Sequence, residues 1–234
     1  MQSTIHFILT INWFATCKPL CVKYVCISLL AIVMVNSAFA QENQWEPKKE
    51  TDNLSVYYRD VPDSKLKELK VSTTFRANLS TIVAVLRDVP AYPLWIYGCE
   101  AAEVVERKDN ANYIYAQMDF PWPLSDRDYY AKATLHQDSQ TKQVTSYLVA
   151  LPTYSSEKED FVRIPKMEVT WIFTPLDKNT VQLDYLLSSD PGGALPSWLV
   201  NMFLDKGPTK SLARFREMLQ LDKYKNQNFA IIQN

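Results

Sequence analysis

Hydrophobic and polar positions alternate along the middle of the chain, and polar clusters interrupt the alternation. The clusters at residues 107–112, 136–143, 155–160 and 177–180 separate runs rich in Val, Ile, Thr, Tyr, Trp and Phe, which is the composition of β-strands. Because the links between these runs are short, successive strands are expected to pair antiparallel. Strands are predicted at residues 54–61, 66–75, 113–120, 129–135, 144–151, 161–174 and 181–188.

Two further segments have helical spacing. Residues 80–89 place three apolar side chains on one face behind a serine that is positioned to cap them, which predicts a short helix after the first two strands. Residues 196–221 carry an apolar stripe and predict a long amphipathic helix. Pro208 is expected to kink this helix next to Gly207, because proline lacks a backbone donor and crowds the carbonyl four residues earlier.

These elements predict an α+β architecture in which a curved antiparallel sheet grips the long C-terminal helix. Strand alternation indicates the inward side chains: Trp171 and Tyr185 on the last two strands, and Tyr129 and Ala131 on the strand that begins near Arg127. Such a sheet encloses more volume than small inward residues fill, so an internal apolar cavity is predicted.

Arg127 is a cation with inward parity on its strand. A guanidinium beside an apolar interior is costly unless a carboxylate, a set of carbonyls or an anionic ligand group meets it. Two interpretations are therefore open, a structural ion pair and a contact with a ligand headgroup.

Residues 1–40 have the pattern of an export signal. An apolar stretch at residues 24–35 follows Lys18 and Lys23, and it is shorter than the roughly 20 residues that a membrane-spanning helix needs. Small residues close the segment and predict cleavage after Ala40, with export to the periplasm or the outside. An uncleaved N-terminal anchor is the alternative, because a long and partly apolar stretch precedes Lys18.

Composition narrows the chemistry of the mature chain. Cleavage after Ala40 would leave one cysteine, Cys99, and one histidine, His136, which excludes a disulfide framework and a Cys/His zinc site. It would also leave 23 basic against 26 acidic side chains, a formal charge of −3, which indicates no basic face for nucleic acid. We therefore expect no metal, no cofactor and no nucleic-acid partner.

Two segments resemble signatures of the START family of steroidogenic acute regulatory protein-related lipid transfer domains. They are FPWPLSDRDY at residues 120–129 and DPGGALPSWLVN at residues 190–201. The resemblance covers residues 54–221, between an N-terminal tail at 41–53 and a C-terminal tail at 222–234. It implies an α+β helix-grip fold of the START/Bet v 1-like type, whose tunnel holds one lipid beneath a lid made by the kinked helix and an adjacent loop.

The motifs resemble most those of the phosphatidylcholine transfer protein group. The resemblance implies that Met118 and Tyr129 line the headgroup region. The aromatic residue that it implies at position 116 is replaced by Ala116, and the charged pair that it implies is replaced by Tyr92 and Ile96. Without an aromatic cage, cation–π selection of a choline ammonium loses its main source, which favours a sterol, a fatty acid or another largely apolar ligand.

The combined prediction is an exported, monomeric START-like protein that binds one lipid or sterol-like molecule and carries it across an aqueous compartment with transient membrane contact. It is not expected to be an enzyme. One alternative is a polyketide cyclase or aromatase-like enzyme using the same cavity, with Arg127 and Tyr129 as acid and base; another is a lipid-sensing interaction module. Ligand-binding side chains are predicted at Met118, Arg127, Tyr129, Ala131, Trp171, Tyr185, Trp198 and Met202.

Overall fold

The computed structural model describes residues 44–234. The predicted leader, its cleavage site and the first residues of the N-terminal tail lie outside the described residues. The elements, in chain order, are β1 (Glu46–Thr51), β2 (Leu54–Asp60), β3 (Lys67–Arg76), α1 (Leu79–Arg87), α2 (Tyr92–Trp95), β4 (Cys99–Lys108), β5 (Ala111–Met118), β6 (Arg127–Gln137), β7 (Val144–Ala150), β8 (Val162–Arg163), β9 (Lys166–Asp177), β10 (Thr180–Asp190), α3 (Ser197–Phe203) and α4 (Lys206–Met218). No helix in this part of the chain has the length and apolarity to cross a bilayer.

The strands form one sheet in the order β1-β2-β3-β10-β9-β7-β6-β5-β4, and short β8 pairs in parallel with the start of β6. The long helix α4 packs on the inner face through Phe215. The Phe215 ring centroid lies 5.4 Å from that of Phe75 on β3, 5.0 Å from that of Trp95 on α2 and 5.6 Å from that of Trp171 on β9. A curved antiparallel sheet thus wraps around the C-terminal helix, as predicted.

Two strands were missing from the prediction, and both are edge strands of the sheet. All residues of β1 are exposed, and β4 carries charged residues together with register shifts near Ala101 and Glu106. Charge and bulges are common devices for protecting a sheet edge, and both disturb the two-residue alternation on which strand prediction depends.

The predicted strand at 161–174 is divided at Ile164 and Pro165. The part before the division pairs with β6, and the part after it pairs with β7 and β10. Helix α1 is capped by Asn78, whose Oδ1 accepts from the Thr81 backbone N–H at 2.8 Å, so the predicted serine cap is wrong.

The break in the C-terminal helix falls at Leu204–Asp205, one turn before the predicted kink at Gly207–Pro208. Pro208 occupies the first turn of α4, where its missing N–H removes no intrahelical hydrogen bond. The first bond of the new helix runs from the Thr209 N–H to the Asp205 carbonyl at 2.9 Å. Proline therefore starts a second helix here instead of bending a single one.

Candidate ligand-binding cavity

An internal cavity of about 1280 Å³ lies between the inner face of the sheet and the helices. This volume exceeds the roughly 300–1,000 Å³ of an ordinary small-molecule pocket. Its apolar wall includes Ile114 and Leu148 from the strands, Trp95 from α2 and Leu212 from α4. The cavity is therefore large enough for one lipid-sized molecule.

No Asp, Glu, Lys, Arg or His lines the buried part of the cavity in residues 44–234. Eight side chains of these types lie at the rims of the cavity, and all eight are exposed. They are Arg87, Arg107, Lys108, Asp109, Asp119, His136, Lys206 and Lys210. The same part of the chain holds no group of three or more His, Cys, Asp or Glu residues that could bind a metal ion.

The buried wall carries the hydroxyls of three tyrosines and of Ser211, which donates to the Gly207 carbonyl, and the Trp95 indole N–H, which has no hydrogen-bond partner among the described residues. Tyr129 and Tyr185 are buried, and neither hydroxyl has a hydrogen-bond partner among the described residues, whereas that of Tyr92 donates to the Leu86 carbonyl at 2.9 Å. Burial, with Cys99 and two other tyrosines nearby, raises the pKa of Tyr129 well above its ordinary value, and burial also raises that of Tyr185. Both hydroxyls therefore stay neutral and available to a polar ligand group.

Trp171 supplies the centre of an aromatic wall beside these hydroxyls. It pairs across the sheet with Tyr185, and the two rings meet edge to face at 4.8 Å. Trp171 remains partly exposed within the cavity wall, while Phe173 behind it is fully buried. Flat aromatic surfaces of this kind suit a rigid ring system or an extended hydrocarbon chain.

Arg127 connects the two motif segments, residues 120–129 and 190–201, and we call this connection the joint. Its guanidinium is 2% exposed and donates to the carbonyls of Ser125, Pro191 at 3.5 Å and Gly192 at 3.4 Å, and it stacks on the Phe120 ring at 4.4 Å. The acceptors are backbone carbonyls, so the structural interpretation applies, with carbonyls in place of a carboxylate. Burial lowers the pKa of Arg127.

A buried ion pair lies next to this joint. Arg163 binds both carboxylate oxygens of Asp128, with Nε to Oδ1 at 2.7 Å and Nη2 to Oδ2 at 3.0 Å. Gly192 packs against the same region: its φ is +71°, and a Cβ there would lie 3.0 Å from Pro165 Cδ. Sequence reasoning missed Arg163, because nothing in the local pattern indicates a partner 35 residues away.

Helix α3 and the β5–β6 loop, residues 119–126, form one end of the cavity, which we call the mouth. Leu199 and Val200 of α3 line the cavity, and the Asn201 side chain accepts from the Lys67 N–H at 3.0 Å and donates to the Lys65 carbonyl at 2.9 Å. None of the seven residues of α3 is buried. A short helix held by one side-chain anchor therefore covers the mouth.

Comparison with known proteins identifies the family. Residues 30–225 match the family model of the START domain. The chain belongs to the START family. The helix-grip fold and the resemblance seen in the two motifs are thereby confirmed.

Bacterial relatives are similar to this START chain over most of its length. An uncharacterized protein of Pseudomonas aeruginosa is 30% identical over 188 residues, which cover 80% of this chain and 93% of that protein. The crystal structure of a STAR-related lipid transfer protein fragment from Xanthomonas axonopodis has a TM-score of 0.70 at 30% identity, and the match covers 76% of this chain and 99% of that one.

Animal START proteins are more distant. Phosphatidylcholine transfer protein of Rattus norvegicus is 23% identical over 169 residues, which cover 70% of this chain and 78% of that protein. The crystal structure of human START domain-containing protein 10 shares the fold, with a TM-score of 0.67 at 20% identity over 78% of this chain and 77% of that one.

The structure brings four of the eight predicted ligand-binding residues of this START domain together at the cavity. Met118, Tyr129, Trp171 and Tyr185 line it. Contact of these side chains with a ligand stays a prediction.

The other four predicted residues lie outside the cavity wall. Ala131 is fully buried beside Ile164, and Arg127 is held by carbonyls in the joint. Trp198 and Met202 are 65% and 51% exposed on the outer side of α3. The helical stripe gave no indication of which of its apolar residues face outward.

Sequence reasoning also missed part of the wall. Phe229, Ala230 and Ile231, in the C-terminal tail, line the cavity at the end opposite the mouth. The apolar residues of this tail fit either docking on a partner or packing on the protein itself, and the sequence pattern does not decide between the two.

Proposed function

We propose that this START protein binds one uncharged lipid or sterol-like molecule in its cavity and carries it across an aqueous compartment. The observation that carries the proposal is the cavity of about 1280 Å³, whose buried wall holds no ionised side chain. Sixteen methylenes exposed to water cost roughly 13 kcal/mol at about 0.8 kcal/mol each, so a carrier that buries them lowers the barrier to crossing water. The Xanthomonas relative is named for lipid transfer and the rat relative for phosphatidylcholine transfer, which supports this function.

The polarity of the wall favours a neutral headgroup. A choline ammonium or a phosphate in the buried part of the cavity would have no counter-charge, and burying an unpaired ion is costly. The hydroxyls of Tyr129 and Tyr185 instead offer neutral hydrogen bonds to an alcohol, an ester or a protonated carboxyl group. A sterol or another neutral lipid therefore suits the site better than phosphatidylcholine.

Loading at a membrane surface is supported by side chains around the mouth. Trp122 of the β5–β6 loop is 91% exposed, and Trp198 and Met202 point away from the cavity on α3. Lys206 and Lys210 follow on the exposed start of α4. Tryptophan beside lysine is typical of surfaces that rest in a lipid headgroup region.

Changing Trp122 and Trp198 together to Ser tests this surface. Sterol transfer between vesicles containing anionic lipid should slow several-fold, because apolar contact with the bilayer is lost, while equilibrium loading in solution stays unchanged. Tyr147→Ser is the control, since Tyr147 is 50% exposed and does not line the cavity. Equal transfer rates for the three proteins would remove the membrane surface from the proposal.

Export and a monomeric state complete the proposal. The leader, with cleavage after Ala40, supports a periplasmic or secreted carrier that crosses an aqueous space. Sequencing the N-terminus of the protein recovered outside the cytoplasm should give Gln41 as the first residue. Recovery of an intact leader would favour the anchored alternative.

Binding fits the buried groups better than catalysis does. The Arg127 guanidinium is occupied by carbonyls, and the raised pKa of Tyr129 opposes its use as a base at neutral pH. The pair considered for a cyclase-like enzyme therefore lacks both a free cation and an ionised phenol.

Mass spectrometry of an organic extract of the purified protein tests the proposed function. We expect one neutral lipid or sterol-like molecule per chain, and uptake of a fluorescent sterol by the emptied protein. Recovery of phosphatidylcholine at one per chain would overturn the neutral-ligand assignment. No apolar molecule and no sterol uptake would overturn the carrier function itself.

A further inference from the structure

The cavity extends from one end of strand β5 to the other. Met118 and Ala111, at the two ends of this strand, both line it. Seven steps of about 3.4 Å place these residues about 24 Å apart. At the Met118 end lies the mouth, and at the Ala111 end the wall is completed by residues that follow the last helix.

These residues belong to a segment at 226–234, which we call the floor segment. Its Phe229 side chain packs against the main core, and the Arg87 guanidinium lies 5.4 Å from the ring centroid. Ile232, three residues later, is 7% exposed, whereas Ile231, which lines the cavity, is 55% exposed. The floor segment is therefore packed onto the domain by apolar contacts on both sides of Ala230.

Hydrogen bonds fix the far end of the floor segment. The Gln137 side-chain amide donates from Nε2 to the Gln233 carbonyl at 2.8 Å and accepts from the Gln233 N–H at 2.7 Å. The Asn234 Oδ1 accepts from the Ser80 N–H at 2.8 Å, in the first turn of α1. Gln137 thus pairs with this backbone as a neighbouring strand would.

The near end is fixed just before the floor segment begins. Asp88, which follows α1, accepts from the Tyr224 hydroxyl at 2.8 Å and from Lys223 Nζ at 3.1 Å. The chain is held at Asp88 beyond one end of α1 and at Ser80 near the other, so the residues between these anchors pass across the end of the cavity. The match to the START family model stops at residue 225, just before the floor segment begins.

We propose that Phe229, Ala230 and Ile231 form the floor of the cavity and set the greatest length of hydrocarbon chain that the protein accepts. This inference rests on the proposed function. Each methylene buried in the cavity strengthens binding about fourfold. Affinity therefore rises with chain length until the ligand reaches the floor, and a longer ligand must bend or displace the segment.

Competition by straight-chain primary alcohols of increasing length against bound Nile red measures this limit in the full chain. In the unaltered protein, affinity should rise about fourfold per methylene and then level off. The double variant Phe229→Ala/Ile231→Ala should continue to gain about fourfold per methylene beyond that length. Ala230→Trp, which fills space from the floor, should level off at a shorter length.

Two further variants separate the floor from general effects on the fold. Asn234→Ala removes the bond to Ser80 without touching the cavity wall and should weaken the length limit less than the double variant. Leu176→Ala, at a 57% exposed position away from the cavity, should leave the limit unchanged. If the double variant fails to fold, Ala230→Trp still decides, because Ala230 is exposed and its replacement leaves the core intact.

The outcomes distinguish this inference from the proposed function. A length limit that is identical in all variants, with Nile red and alcohols still bound, overturns the floor and leaves the carrier function standing. A limit that moves equally in Leu176→Ala also overturns it. Failure of the unaltered protein to bind Nile red or any alcohol overturns both.

Discussion

At the mouth, α3 contributes Leu199 and Val200 to the cavity wall yet buries none of its seven residues. At the floor, seven of the nine residues are exposed, but Ile232 is buried, and hydrogen bonds hold the segment at Gln233 and Asn234 and, just before it begins, at Tyr224. Segments with few buried apolar contacts open at the lowest free-energy cost. For the proposed carrier, the difference predicts that ligand enters and leaves at the mouth, while the floor stays closed.

The two ends also differ in what they present to the outside. Exposed tryptophans lie at the mouth, whereas the floor is bordered by Arg107 and Lys108 at the end of β4 and by Asp109 in the β4–β5 turn. A membrane that solvates apolar side chains would favour the open state of the mouth and leave the floor unaffected. The asymmetry thus couples ligand exchange to the proposed membrane contact.

The largest effect is expected from a charge in the cavity wall at the mouth end. Met118→Glu should reduce loading of a fluorescent sterol at least about 100-fold at pH 7, because a buried carboxylate there would have no partner. Met118→Gln, of similar size and uncharged, should retain most of the loading. Equal loading by the two variants would show that the absence of charge in the wall does not select the ligand. The comparison of mouth and floor, which assumes an uncharged ligand between them, would then no longer hold.

Removing the joint behind the mouth should cost the most stability. Arg127→Met leaves carbonyls of both motif segments without their donor, and we expect a loss of about 2–4 kcal/mol in the free energy of unfolding measured with urea. Arg127→Lys should recover only part of this, since an ammonium cannot reproduce the planar fork. A loss below about 1 kcal/mol in the Met variant would mean that the joint does not stabilise the mouth.

The sequence predicted the interior of this molecule better than its edges. The alternation of apolar residues on β6, β9 and β10 placed Tyr129, Trp171 and Tyr185 correctly on the inner face, because a buried sheet face imposes period two. The edge strands β1 and β4 were missed because most of their residues are exposed to water, so no buried face requires an apolar residue at every second position.

The ends of the cavity were predicted least well. Trp198 and Met202 share a helix with wall residues Leu199 and Val200, and the face that a short amphipathic helix buries depends on its tilt, which the sequence does not specify. The floor depends on Gln137 and Gln233, which are 96 residues apart. A polar pair so distant in the chain leaves no periodic signal.

A smaller effect should follow from loosening the mouth alone. Asn201→Ala removes two hydrogen bonds that join α3 to Lys65 in the β2–β3 link and to Lys67 at the start of β3, together worth about 1–2 kcal/mol. Release of preloaded sterol should become roughly 5–30 times faster, while the length limit set at the floor stays the same. Stopped-flow fluorescence measures the release. An altered length limit, or an unchanged release rate, would contradict the assignment of exchange to the mouth.

The smallest expected effects are those of pH. The mouth should loosen when the pH rises, and the floor should loosen when the pH falls. Beside the mouth, Tyr58 of β2 donates to Asp205 in the link between α3 and α4, and burial and this hydrogen bond raise the pKa of Tyr58 to about 12, above its ordinary value of about 10. Stabilisation by the protonated phenol is therefore complete below about pH 10 and is lost as the pH rises through about 12. Sterol release should quicken in that window, and Tyr58→Phe should abolish the change.

At the floor the sign is opposite. Burial raises the pKa of Asp88, but the hydrogen bonds from Tyr224 and Lys223 outweigh it, so the pKa lies below the ordinary value of about 3.9. The attachment of Tyr224 and Lys223 to the Asp88 carboxylate is then at full strength above about pH 4 and weakens as the pH falls through the lowered pKa. This weakening should extend the length limit in acid. Asp88→Asn should show the extended limit at pH 7 and little further change in acid. A limit that shifts with acid equally in both proteins would place the sensitivity elsewhere, and the floor would then be held by Gln137 and Asn234 without help from Asp88.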